Sequence, residues 1–282
     1  MKIMDKIKEL SLNKKCVIGI GLGPSNEYLI HMKKVLSLFS NIKNIKIKVI
    51  HNYNFKPQVD DFPKNIELIH SENPSYELIN LLLNNDIDGI VRGSISSSEF
   101  LKSVKKLLEI NKISRIALLG TAWGKDFFFS PVGIDEGRTI EDKIFFAKQG
   151  YNLLKRLEIQ PSIAILSGGR LGDLGRDKIV DNTINNAIKV VDKLKNDIKN
   201  IFHSEILIEN AIKKANYIIA PDGISGNLIY RTLVHLGNGY SYGAIYIEPY
   251  LKKKVIIDTS RVGPINEHYS AILMAAAFSN LL

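Results

Sequence analysis

Short runs rich in β-branched residues alternate with longer amphipathic stretches along nearly the whole chain, and Gly or Ser turns divide them. The runs stand at 16–20, 45–50, 87–91, 115–119, 162–166, 217–220, 244–247 and 255–258. Helical periodicity occupies 27–39, 97–110, 140–157, 177–194, 225–236 and 267–281 between them. A strand, a crossover helix and a further strand make the parallel α/β pattern, in which helices cover both faces of the sheet. No tract is of low complexity and no period repeats. The fold class expected is α/β.

The chain has 282 residues, 45% of them hydrophobic, enough for two domains. No Pro/Gly/Ser linker cuts it, so the boundary is inferred from the junction after the helical stretch that ends at Ile110. The layout expected is a discontinuous α/β domain of residues 1–111 plus 247–282 and a second α/β domain of residues 112–246, with a cleft between them.

Cys16 is the single cysteine, so no intramolecular disulfide forms, and no CxxC or Cys/His cluster offers structural zinc. His51, His70, His203, His235 and His268 have no ligand spacing, so no metal is expected. The first residues are interrupted by charge, unlike a secretory signal, and apolar runs such as 272–278 are too short to span a bilayer. A soluble, cytoplasmic protein without a membrane partner is expected. Trp123 and the run Phe127, Phe128 and Phe129 read as core and domain-interface packing. The net charge of +9 favours anionic partners. Its lysines are dispersed, with no helix-turn-helix, zinc-finger, RRM or KH signature, which favours a small anionic metabolite over nucleic acid.

Four turns stand where a strand gives way to a helix, the place where free backbone N–H groups meet the positive end of a helix dipole. Gly19-x-Gly21-x-Gly23 partly matches a dinucleotide fingerprint, but Pro24 intrudes and no acidic residue ends the next strand; a tight structural turn and a nucleotide site both fit. At 88–99, Arg92, Gly93 and Ser94 close an apolar strand, and Arg92 there needs an anionic partner or an exit to water, while Ser96 and Glu99 fit a capping box. At 165–176, Ser167, Gly168, Gly169 and Arg170 fit either an anion loop, with Arg176 as a second fork, or a solvated surface loop. At 220–228, Asp222, Gly226 and Asn227 open a helix; Gly226 costs helix stability, up to about 1 kcal/mol against alanine, which points to close backbone packing or ligand approach.

The most telling stretch is the last strand, which delivers Ser260 and Arg261 into a Gly263-Pro264 turn, with Glu267 opening an apolar helix seven residues after the serine. A hydroxyl, a guanidinium and a carboxylate so close to a core are expensive to hold unless something uses them.

Taken in order, these pieces resemble the phosphate acetyl/butyryl transferase superfamily. Asp88 to Ser98 is similar to its Asp-Gly-Val and Gly-Ser turn; Pro221, Asp222, Gly226, Asn227 and Tyr230 to its Pro-Asp…Gly-Asn-x-x-Tyr motif; Asp258, Ser260 and Arg261 to its Asp-x-Ser-Arg-Gly turn. The resemblance spans about two thirds of the chain, from near Gly89 to the end. Within the superfamily the chain is most similar to the methanogen marker family MtxX, described as methyltransferase subunit X. The resemblance implies a fold of two α/β domains like those of phosphotransacetylase and the isocitrate and isopropylmalate dehydrogenases, a homodimer, and coenzyme A or another phosphorylated thiol as co-substrate.

It also implies roles. Ser260 and Arg261 would line the cleft, Arg261 neutralising charge on an acyl phosphate, and Glu267 would take the thiol proton. From the loops themselves, Arg92, Gly93, Ser94, Ser167, Gly168, Gly169, Arg170, Asp222, Gly226 and Asn227 are the residues expected to bind substrate or anion. Departures are Glu267 for aspartate, Val262 for the glycine after Ser-Arg, Arg92 for a small residue, and Ile95-Ser96 where the family carries histidine. Three functions compete: an acyl transferase between phosphate and a thiol, a non-catalytic regulator beside corrinoid-protein machinery, and a catalytic methyltransferase subunit.

Overall fold

The computed structural model of the chain describes residues 2–53 and 62–282. Its strands are β1 (Cys16–Leu22), β2 (Ile45–His51), β3 (Ile66–His70), β4 (Gly89–Val91), β5 (Arg115–Gly120), β6 (Asp126–Ser130), β7 (Ile163–Ile165), β8 (Ile201–His203), β9 (Tyr217–Ile219), β10 (Tyr240–Tyr246) and β11 (Val255–Asp258). Its helices are α1 (Ile3–Ser11), α2 (Asn26–Ser37), α3 (Pro74–Leu83), α4 (Ser97–Leu107), α5 (Ile140–Arg156), α6 (Lys178–Leu194), α7 (Ile208–Lys214), α8 (Gly223–His235), α9 (Ile247–Leu251) and α10 (Ile265–Asn280). Two compact units result, one of residues 3–113 with 242–282 and one of residues 114–241.

In the first unit the strand order is β3-β2-β1-β4-β11-β10. The first five strands run parallel and β10 is antiparallel to β11. β1 is buried on both faces between its neighbours, with Ile18 opposite Ile47 on one side and Gly89 on the other. The chain goes from β1 outward through β2 and β3, then returns to the far side of β1 as β4. That reversal makes the β1/β4 boundary a topological switch point, outside whose carboxyl ends ligand crevices form. Helix α10 is apolar on nearly every side because it lies against α1, α2, β1, β4 and β11. Its Ile272, Leu273, Met274 and Phe278 are at most 1% exposed, and burial of each contributes about 1.5–3 kcal/mol. The apolar run at 272–278 is therefore a core helix.

In the second unit the order is β5-β6-β9-β7-β8, with β5 antiparallel to β6 and the remaining neighbours parallel. Here too the chain reverses: β8 follows β7 on one side and β9 returns on the other, so the β7/β9 boundary is a second switch point. Phe127, Phe128 and Phe129 are all buried in β6. Trp123, expected to pack with them, is instead 73% exposed, because it lies in the tight turn between β5 and β6, where Gly124 N donates to Thr121 O. Among the described residues, no helix is long and apolar enough to cross a membrane, and no cluster of His, Cys, Asp and Glu could hold a metal ion.

Candidate functional site

The carboxyl ends of β1 and β4 are zipped together. Ser94 N donates to Gly21 O at 3.0 Å, and Gly23 N donates to Ser94 Oγ at 3.0 Å. The approach leaves no room for side chains: Gly93 holds φ +67°, and a Cβ there would run into the Gly21 carbonyl. Pro24 does not break α2, because Ser25 caps the helix beyond it and accepts from Glu27 N at 3.2 Å. Tyr53, just past β2, donates its hydroxyl to Ser25 O at 2.5 Å and braces this turn from the other side. The turn read as either structural or nucleotide-binding is thus a built wall.

Arg92 was expected to meet an anionic ligand, but its anion is internal. Nε donates to Asp258 Oδ1 at 2.5 Å, Nη1 donates to Ile95 O at 2.7 Å, and Nη2 donates to Thr259 O. Each of its three nitrogens has a protein acceptor, so the guanidinium locks the end of β4 to the end of β11. Burial works against its charge, but the Asp258 carboxylate and their hydrogen bond outweigh it and hold the pKa above the ordinary arginine value. Thr259 Oγ1 adds a bond to Gly93 O at 3.2 Å. Arg92 is a strut, 5% exposed, and does not line the crevice described below.

Glu267 is equally inward. Its Oε1 accepts from Ser260 N at 2.9 Å across the turn that Gly263 N closes onto Ser260 O at 3.1 Å. A Cβ at Gly263 would strike the carboxylate, so glycine at that position lets Glu267 fold under the turn. A carboxylate in the first turn of α10 also suits the helix dipole. At 2% exposure, Glu267 holds the Ser260–Gly263 turn in place from beneath. Behind it His268, fully buried, meets His31 with Nδ1 and Nε2 3.2 Å apart. Burial first, then His31 and Arg92, push the His268 pKa down to about 4, so the pair is neutral.

What this scaffold presents is a crevice of about 750 Å³, formed at the carboxyl ends of the parallel strands of the first unit. Gly23 and Pro24 come from the end of β1, Ser94 and Ser96 from β4, and Arg261 from the turn after β11. Arg261 is exposed and has no ion-pair partner among the described residues. Ser96 precedes α4 but makes no side-chain cap; its Oγ lies 3.1 Å from Ser98 Oγ. The expected Ser96–Glu99 capping box is therefore absent, and Ser96 lines the crevice together with Glu99 and Lys102 of α4. Lys102 was not singled out from the sequence, where it is one of many lysines on an amphipathic helix. The crevice wall therefore carries two cations, Arg261 and Lys102, together with two carboxylates, Glu72 and Glu99.

The other expected residues lie in the second unit. Ser167 Oγ donates to Gly169 O at 2.8 Å, so the 2.8 Å contact with His203 Nε2 is donated by the imidazole, and the hydroxyl is a loop staple. Gly168 N donates to Thr183 Oγ1 at 2.8 Å. Arg170 is exposed, and Arg176 pairs with Asp173 at 2.6 Å. Asp222 caps α8, its Oδ1 accepting from Ser225 N at 2.8 Å. Gly226 lets α8 press on the chain at 131–133, since a Cβ would collide with the Pro131 carbonyl, and Asn227 Nδ2 donates to Val132 O at 2.9 Å. Gly226 and Asn227 thus serve backbone packing, and of the two reasons considered for Gly226 this is the one the geometry supplies.

No protein-family model matches the chain. A protein of Methanosarcina mazei named "Putative methyltransferase mtx subunit X" is 43% identical over 228 residues, which cover 80% of this chain and 79% of that protein. The chain belongs to the mtx subunit X family. The fold of this family member is that of the phosphotransacylases. A branched-chain phosphotransacylase from Enterococcus faecalis superposes with TM-score 0.70 at 18% identity, over 93% of this chain and 99% of that one. The EutD phosphotransacetylase from Staphylococcus aureus gives TM-score 0.70 at 15% identity, over 98% of each. The resemblance stated from the motifs to the methanogen family is borne out, and the resemblance to the phosphotransacylases is borne out as a likeness of fold.

Proposed function

We propose that the crevice of the first unit binds a phosphorylated, coenzyme A-type ligand and that this protein transfers an acyl group between phosphate and a thiol. The observation that carries the reading is Arg261: exposed, without an ion-pair partner among the described residues, and on the wall of a crevice that also holds Lys102 and the uncapped start of α4. In the reaction the thiol sulfur attacks the acyl carbon, the bond from that carbon to the phosphate oxygen breaks, and Arg261 stabilises the departing phosphate. Glu267 takes the thiol proton. A thiol is ordinarily far less acidic than a carboxylic acid, so the transfer runs uphill unless the turn over Glu267 opens and the cations acidify the thiol.

The test is turnover of acetyl or butyryl phosphate with coenzyme A. Arg261→Ala should abolish turnover and weaken coenzyme A binding, while Glu267→Gln should abolish turnover and leave binding. Folded protein with no turnover on either substrate contradicts the transfer step. The resemblance to the acyltransferases supports a homodimer, which native mass spectrometry measures.

A second reading is favoured by the name of the 43%-identical relative: subunit X of a methanogen methyltransferase complex, in methyl transfer or as an accessory or regulatory subunit. It expects co-purification with a corrinoid protein and calorimetric binding of a methylated corrinoid. A protein that isolates alone and binds none speaks against it.

A further inference from the structure

The second unit has a pocket of its own, about 300 Å³, at the carboxyl ends of β6, β7 and β9 and so at the second switch point. Lys143 lies in its wall, 3% exposed, in the first turns of α5. This is an unfavourable place for a cation. It is removed from water and stands near the positive end of a helix. Among the described residues, the one acceptor within hydrogen-bond reach of Nζ is Gly137 O at 2.8 Å. An ammonium has three donors, so two remain unfilled. Asp222 and Asp142 attract it, yet neither makes a contact ion pair with it among the described residues. Burial is the largest influence on Lys143 and lowers its pKa.

The rest of the pocket supplies what Lys143 lacks. Arg138, exposed, brings a second cation, and Asn182 and Asn186 on α6 bring amides. Asp222 uses Oδ1 to cap α8, and its other oxygen has no donor among the described residues. We infer that this pocket is a second ligand site, one that takes a small oxyanion carrying a hydroxyl or ammonium group. The oxyanion meets Lys143 and Arg138, and the donor group meets the free oxygen of Asp222. A phosphate monoester and a carboxylate share this chemistry, and the probes below separate them.

The inference does not rest on the acyl-transfer reading. The experiment is calorimetric titration of the full chain with glycerol 3-phosphate and with glycerate. The parent protein is expected to bind two molecules of glycerol 3-phosphate, and the Arg261→Ala protein one. Adding Arg138→Gln or Lys143→Met to Arg261→Ala should weaken that remaining site about tenfold or more, the effect of one charge-assisted hydrogen bond. Glycerate bound more tightly than glycerol 3-phosphate in the Arg261→Ala protein would assign a carboxylate, and the reverse a phosphate. Arg138 is exposed, so its variant folds even if Lys143→Met does not. Failure of the Arg261→Ala protein to bind either probe overturns the inference, as does binding that both substitutions leave unchanged. A single parent site, lost with Arg138→Gln and kept with Arg261→Ala, would sink the first crevice and leave this one standing.

Discussion

In the first unit a cation stands at the lip of the crevice, and the two buried charged groups described beneath it are matched: Arg92 meets Asp258, and Glu267 accepts from the Ser260 amide. In the second unit a cation stands inside the pocket wall, and its charge is not matched by contact. Both crevices occupy the same topological place, a switch point at strand carboxyl ends. The difference teaches that topology fixes where a ligand can sit, while the pairing of buried charge decides whether a residue holds the scaffold or awaits a partner.

The largest expected effect breaks the first half of that comparison. Arg92→Ala strips the guanidinium from the partly buried Asp258 carboxylate and should cost about 3–5 kcal/mol in urea denaturation. Lys143→Met should change stability by no more than about 1 kcal/mol, because relief of the buried charge offsets the lost bond to Gly137. Equal losses at the two sites would erase the distinction.

Next comes acidification, which probes the matched region through His268. Its folded pKa, about 4, lies below the ordinary value near 6.5, so the unfolded chain takes up the proton first. Its contribution is complete above about pH 6.5 and is lost as pH falls toward 4, on the order of 3 kcal/mol in total. His268→Gln should flatten denaturation midpoints measured across that range; an unchanged slope would remove His268 from the account.

The smallest effect compares glycines. Gly93→Ala, at φ +67° against the Gly21 carbonyl, should cost about 1–3 kcal/mol. Gly172→Ala in the second unit, with nothing within 4 Å of its added Cβ, should be neutral or stabilise by up to about 1 kcal/mol. Thermal melts of the two variants measure the contrast.

Much of this was legible in the chain. Strands with β-branched runs and helices with a clear period stand out, and so does the Ser260-Arg261 turn, because its residues are consecutive. β3 and β8 are not: β3 is half-buried and β8 has three residues, too few for a period to show. β6 hides because three phenylalanines in a row carry no alternation. The Arg92–Asp258 pair spans 166 residues, and no local pattern announces a partner that far away, which is why Arg92 read as a ligand residue. Lys143 did leave a signal. It falls in step with Phe146, Ala147, Gly150 and Leu154 on the buried stripe of α5, where a lysine is out of place.

In the proposed function Arg261 is the anion anchor of the first crevice. Its most direct test is calorimetric titration of coenzyme A into the parent and Arg261→Ala proteins, with Arg138→Gln alongside. The account predicts that Arg261→Ala weakens binding about tenfold or more while Arg138→Gln leaves it unchanged. Coenzyme A bound equally well by the parent and by Arg261→Ala would contradict it.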